Sequence, residues 1–153
     1  MGRSRKDQSS GEAGMLIDDR MAIENVLQSY VHALDGGDIE AYLATMTEDV
    51  KLVSAFANHS GKAELAKLIR PLMERRNKEK QEGTAANKGS HHIITNQALE
   101  FIDGNNAVMR SYWMTATAPK TGDIKIDSMG SSEDYFIKTD GKWLIRERRI
   151  SHV

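Results

Sequence analysis

Apolar positions in the first third of the chain recur at helical spacing. Ile23, Val26, Leu27, Tyr30, Val31 and Leu34 fall three or four residues apart, on one face of an amphipathic helix that starts near Asp18. Asp18 or Asp19 suits its N-cap, and Gly36-Gly37 suits its end, because glycine takes the left-handed C′ conformation without strain. Asp38 is placed to cap a short second helix carrying Ile39, Tyr42, Leu43 and Met46. Val50 to Phe56 reads as a strand. Ser60-Gly61 opens a third helix with Leu65, Leu68, Ile69, Leu72 and Met73, kinked at Pro71 or split there into two pieces.

Beyond Met73 the period changes. Asn77 to Lys88 is polar and charged and reads as an exposed loop. His91 to Ile102, Ala107 to Ala118, Ile124 to Thr139 and Lys142 to Val153 are long β-branched and aromatic runs, hence strands. They are separated by Asp103-Gly104-Asn105-Asn106, by Pro119-Lys120-Thr121-Gly122 and by Asp140-Gly141, the last suited to a two-residue type I′ turn. Three helices followed by four long antiparallel strands imply an α+β domain with a curved sheet wrapped around the helices. The opposite end, Met1 to Gly14, is Ser/Gly-rich and charged, and buries too little to offset its ordering entropy. A disordered tail over 1–14 and a single domain over 15–153 follow.

Composition narrows the function by exclusion. Lys+Arg number 21 against 22 Asp+Glu, a net charge of −1, which lacks the basic field of a nucleic-acid binder. With no cysteine, thiol nucleophiles, disulfides and thiolate metal sites are out. No apolar run approaches the roughly 18 residues of a membrane span, so no membrane partner and a cytoplasmic location are expected. No Gly-rich phosphate loop or G-x-S-x-G elbow occurs. Only five histidines exist, and His91-His92 must point to opposite faces of one strand, which disfavours a metal. No cofactor is implied.

Two acid–base candidates remain. Asp35 sits at the C-terminal end of the first helix, where the negative end of the dipole favours a proton-accepting role. A solvated turn residue beside Gly36-Gly37 fits the same spacing. Of His91 and His92, one enters any pocket on the sheet face and the other leaves it. Arg148 and Arg149 likewise alternate, and both are assigned to the surface or to a subunit interface. Arg70, Arg75, Arg76, Lys78 and Lys80, interleaved with Glu74, Glu79 and Glu82, read as a solvated helix end. Trp113 and Trp143 read as core or interface residues.

These residues also resemble a known family. Tyr30-Val31-His32-Ala33-Leu34-Asp35-Gly36-Gly37-Asp38, the strand opening His91-His92 with Asn96, and the hairpin Thr139 to Ile145 with Glu147-Arg148-Arg149 are similar to SnoaL-like proteins. They most resemble the scytalone-dehydratase-like branch of the nuclear-transport-factor-2-like superfamily. The resemblance implies a conical barrel of strongly curved, mostly antiparallel sheet around three N-terminal helices. It places the catalytic pair on Asp35 and His92, and the substrate-binding set on Tyr30, Leu34, Ser54, Phe56 and Tyr112. Val53, Met109 and Trp113 are expected to contribute shape only.

The implied activity is that of a cofactor-independent lyase or isomerase acting on a hydrophobic, cyclic or aromatic hydroxy-ketone. His92, oriented by Asp35, would take a proton α to a carbonyl and return it to the leaving hydroxyl. The sequence departs from scytalone dehydratase in having Leu34 and Ser54 where that enzyme has water-holding tyrosines, and no histidine between His92 and His152. Scytalone itself is therefore disfavoured as substrate. A noncatalytic ligand-binding or assembly subunit and a polyketide cyclase are the alternatives. A homodimer or homotrimer is expected, to cover the open sheet face.

Overall fold

The computed structural model describes the backbone of residues 5–55 and 57–153. Among the described residues it contains three helices and six strands. They run α1 (Arg5–Gly36), α2 (Ile39–Ala44), β1 (Met46–Ser54), β2 (Asn58–Ser60), α3 (Lys62–Gln81), β3 (Asn87–Phe101), β4 (Asn106–Pro119), β5 (Lys125–Thr139) and β6 (Lys142–His152). The strands form one sheet in the order β2-β1-β6-β5-β4-β3, curved but not closed. Only β1 against β6 is parallel among these pairings; the rest are antiparallel.

The local chemistry of the sequence accounts for most of the boundaries. Asp38 caps α2 by accepting from the Ala41 N–H at 3.0 Å. Asp140 and Gly141 both have positive φ, 50° and 77°, as the type I′ turn between β5 and β6 requires. Gly61 precedes α3 with φ 94°, and Pro71 lies inside a helix that runs through it unbroken, so the two-piece alternative falls. The one-sided apolar spacing of α1 packs Ile23, Leu27 and Val31 against Tyr42, Leu43, Leu65 and Met73 from the other helices. On the sheet side they meet Met109, Phe136, Trp143 and Ile145.

Two boundaries differ from the sequence expectation. α1 begins at Arg5, so residues 5–14, read as a disordered tail, continue the helix: elongation fixes one residue per hydrogen bond once a helix is nucleated. Asp19 is consequently inside the helix rather than at its cap, and accepts from Lys138 Nζ and Trp143 Nε1, each at 2.8 Å. The polar stretch read as a loop from Asn77 is helical as far as Gln81, because its side chains have work on α1, described below.

Strict alternation also fails on two strands. β3 slips register between Thr95 and Ala98, with Asn96 at φ 54°. The inward set is therefore His92 and Ile94 before the bulge, then Leu99 and Phe101 after it. β6 slips between Ile145 and Glu147, one residue being skipped opposite β5. Trp143 and Ile145 face the core before that bulge, and Arg148 faces it afterwards.

Candidate active site

Asp35 and His92 meet where the last turn of α1 crosses the middle of β3. The His92 ring donates from Nδ1 to Asp35 Oδ1 at 2.6 Å, and the His92 backbone N–H donates to Asp35 Oδ2 at 2.9 Å. One carboxylate thus holds both the ring and the main chain of the same residue, which leaves the ring little rotational freedom. The Asp35 side chain is 13% exposed and that of His92 34%. With Nδ1 carrying the proton, Nε2 is the basic nitrogen. His91 points out of the sheet, 78% exposed, with Nδ1 3.6 Å from Asp35 Oδ2.

The end of α1 that carries Asp35 is fastened from outside by α3. Arg76 donates to the Leu34 carbonyl, Asn77 Nδ2 to Gly37 O at 3.0 Å and Lys80 Nζ to Asp35 O at 3.5 Å. These are carbonyls that a helix C-terminus leaves without internal partners. Two of the three donors are cations, which also suits the negative end of the helix. The basic run read as a solvated helix end is thus, at Arg76 and Lys80, a clamp on the helix that bears Asp35.

His92 lines a cavity of about 250 Å³ between α1 and the sheet. Its walls are mainly apolar, from Val31, Leu34, Leu52, Ile94, Trp113 and Ile150. Polar groups reach it from Tyr30, Ser54, Thr115, Ser128, Arg148 and His152. Of the residues expected to touch substrate, Tyr30, Leu34 and Ser54 are here. Tyr112 is not: it lies on the outer face of β4, 57% exposed, because the face shared by Trp113 and Thr115 is the one turned inward. Phe56 lies outside the described residues. Met109 is wholly core rather than wall, and Trp113 lines the cavity.

Arg148 is the largest departure from expectation. Assigned to the surface or an interface, it is 4% exposed and reaches the cavity. Its Nε donates to Asp134 Oδ1 at 2.6 Å and its Nη2 to Asp134 Oδ2 at 3.3 Å. Ser132 Oγ donates to the same carboxylate at 3.1 Å. The guanidinium carbon lies 4.3 Å from the Tyr30 ring centroid. Burial alone would lower the Arg148 pKa, but the Asp134 carboxylate outweighs it, so the group is held above its ordinary value and stays charged. Burial and then the neighbouring Tyr30 push the Tyr42 phenol well above its usual range, so it stays protonated. The signal that could have found Arg148 is Asp134, an acidic residue placed among inward positions of β5 that needs a buried partner.

Among the described residues no group of three or more His, Asp or Glu could hold a metal ion, and no helix is long and apolar enough to cross a membrane.

The family model of the SnoaL-like domain matches residues 15–149. Solved structures of the same fold include an NTF2-like protein with a cystatin-like fold from Novosphingobium aromaticivorans DSM, at 20% identity and TM-score 0.75, covering 100% of this chain and 92% of that one. A candidate scytalone dehydratase from Novosphingobium aromaticivorans DSM 12444 is 20% identical with TM-score 0.73, covering 92% of this chain and 88% of that one. A hexachlorocyclohexane dehydrochlorinase, LinA-type3 from Novosphingobium barchaimii LL02, is 13% identical with TM-score 0.70, covering 90% of this chain and 88% of that one. No curated protein matches the sequence significantly. At these identities the structures testify to the fold and not to a reaction.

Proposed function

The chain belongs to the SnoaL-like family, and from that footing we propose that it is a cofactor-independent lyase of the dehydratase type, or an isomerase where the substrate has no leaving group. The observation that carries this is the Asp35–His92 pair, bonded at 2.6 Å and opening on an apolar cavity with a buried cation in its wall. An imidazole held in one tautomer by a carboxylate is a general base. A guanidinium in a low-dielectric wall favours negative charge that develops on a carbonyl oxygen. Asp134 holds Nε and Nη2 of Arg148, and the guanidinium lines the cavity in which such an oxygen would sit.

His92 Nε2 takes the proton α to a ketone. The C–H electron pair moves into the carbonyl, and the enolate oxygen rests against Arg148. Collapse of the enolate expels a β-hydroxyl, which leaves as water once protonated, and the product is an enone. In a β,γ-unsaturated ketone with no β-leaving group the same proton removal gives a dienolate, and return of the proton at the γ-carbon moves the double bond into conjugation instead. The cavity sits slightly below the roughly 300 Å³ at which drug-sized ligand sites begin. One ring or two fused rings fit it better than a polycyclic substrate.

The test is formation of cyclohexenone from 3-hydroxycyclohexanone, followed by its ultraviolet absorption. Turnover should fall about 10²–10⁴-fold in Asp35→Asn and in His92→Gln with the fold intact. Turnover that survives both substitutions removes the proposal. The subunit alternative requires Asp35 and His92 to be apart or solvated, which the short bond and the burial of Asp35 argue against.

A further inference from the structure

The cavity holds a second imidazole that the scheme above does not use. His152, on the last residue of β6, lines the same walls as His92 and Arg148. We propose that His152 is a catalytic histidine in its own right, the proton donor to the departing hydroxyl, so that proton removal and proton delivery fall to different strands. The inference rests on the dehydratase reading above.

Its placement is built into the sheet. Gly130 on β5 pairs with Trp113 on β4 and with His152 on β6. With no side chain at Gly130, the Trp113 and His152 rings meet across it, edge to face with centroids 4.8 Å apart. A Cβ at that glycine would stand 1.9 Å from the Ser151 carbonyl, so the gap cannot be filled without moving β6. Trp113 is itself fixed by donating from Nε1 to Ser131 O at 3.1 Å. The Val153 N–H donates to Met129 O at 3.1 Å and pins the strand beyond His152. His152 is exposed to solvent at the edge of the cavity, and the edge-to-face contact with Trp113 holds its ring there.

Chemistry separates the two imidazoles. His92 is committed to Asp35 through Nδ1 and stands on β3; His152 stands on β6, with β5 and β4 between them. The other titratable groups of the wall are poor acids for this step: arginine does not give up its proton, and Tyr30 packs its ring under Arg148 and against Tyr42. A hydroxyl leaving from a β-carbon needs a full proton to depart as water. In the proposed cycle His92 ends protonated and His152 ends neutral, the hydroxyl leaves as water, and a proton returns from His92 to His152 through solvent, so atoms and charge balance.

A leaving group that needs no proton tests the division. Wild type, His152→Gln and His92→Gln are each given 3-hydroxycyclohexanone and 3-chlorocyclohexanone, both yielding the same enone, with a thermal melt of every variant. His152→Gln should lose roughly 10²-fold on the hydroxy-ketone while staying within about threefold of wild type on the chloro-ketone. Added imidazole should restore only the dehydration of His152→Ala. Equal losses of His152→Gln on both substrates would make His152 a wall residue, and no loss on either would return both proton steps to His92; each overturns the proposal. Failure of the underlying reading looks different: His92→Gln then keeps both eliminations, or wild type performs neither.

Discussion

At the scale of single residues, Asp35 binds one histidine twice, through its ring and through its main chain. In Asp35→Asn the amide can still occupy the site but cannot accept from both at full charge, so the ring loses its fixed tautomer. Expected is a fall in kcat of about 10²–10⁴-fold with KM changed far less; a change confined to KM would mean that Asp35 only shapes the cavity. His91→Gln, at the more distant and exposed partner, should leave kcat within about threefold.

Asp19 offers a prediction that needs no substrate. Its hydrogen bond from Lys138, then that from Trp143, hold its pKa below the ordinary 3.8. A carboxylate with a lower pKa in the folded than in the unfolded chain stabilises the fold above its unfolded pKa. That contribution fades as pH falls through the folded value. Asp19→Asn should therefore be less stable than wild type at pH 7, and the gap in urea midpoint should narrow by pH 3. A gap independent of pH would show that the charge of Asp19 is not what matters. The sequence offered Asp18 or Asp19 as a cap because local pattern carries no information about Lys138 and Trp143, more than 100 residues away.

At the scale of elements, the α1–α3 junction decides how firmly Asp35 is held. Gly37 has φ 74°, and a Cβ there would fall 2.2 Å from Asn77 Oδ1. Gly37→Ala therefore both strains the backbone and dislodges the Asn77 side chain. A loss of about 1–3 kcal/mol in stability is expected, read from chemical denaturation, together with a drop in kcat. Asn77→Ala keeps the backbone relaxed and removes only one clamp, so it should lower kcat with little change in melting temperature. If Asn77→Ala alters neither, the clamp serves α1 alone and not the dyad.

The starts of α2 and α3, the Asp38 cap, the type I′ turn and the long strands were all legible because each is a local signal of period or turn chemistry. The bulges at Asn96 and Arg146 were not. Each moves the inward face by one residue, which is why an alternating count from Trp143 and Ile145 sends Arg149 inward when the structure sends Arg148. Asp35 and His92 escaped this error because His92 precedes the bulge on its strand. Tyr112 was misplaced because the pattern leaves open which face of β4 turns inward.

At the scale of the whole molecule, Arg148 and Asp134 tie the cavity to the core, and they make stability and activity separable. Both side chains are almost fully buried, at 4% and 0% exposure, and Asp134 is also bonded to Ser132, which contacts Ser111 at 2.9 Å. Removing one partner strands the other charge in a low-dielectric interior, so Asp134→Ala or Arg148→Met alone should cost about 3–5 kcal/mol. The double replacement Asp134→Leu with Arg148→Met removes both desolvation penalties and keeps much of the volume. It should recover most of that stability, since buried ion pairs are often replaceable by apolar groups of similar size. Activity should not recover, because the proposed mechanism relies on the Arg148 cation beside the enolate oxygen. Denaturation midpoints and cyclohexenone formation across the two single variants and the double variant decide it. A double variant that is stable and active would show that the cation belongs to the scaffold, and the charge for the enolate would then have to come from the hydroxyls of Tyr30, Ser54, Thr115 and Ser128 that line the same cavity.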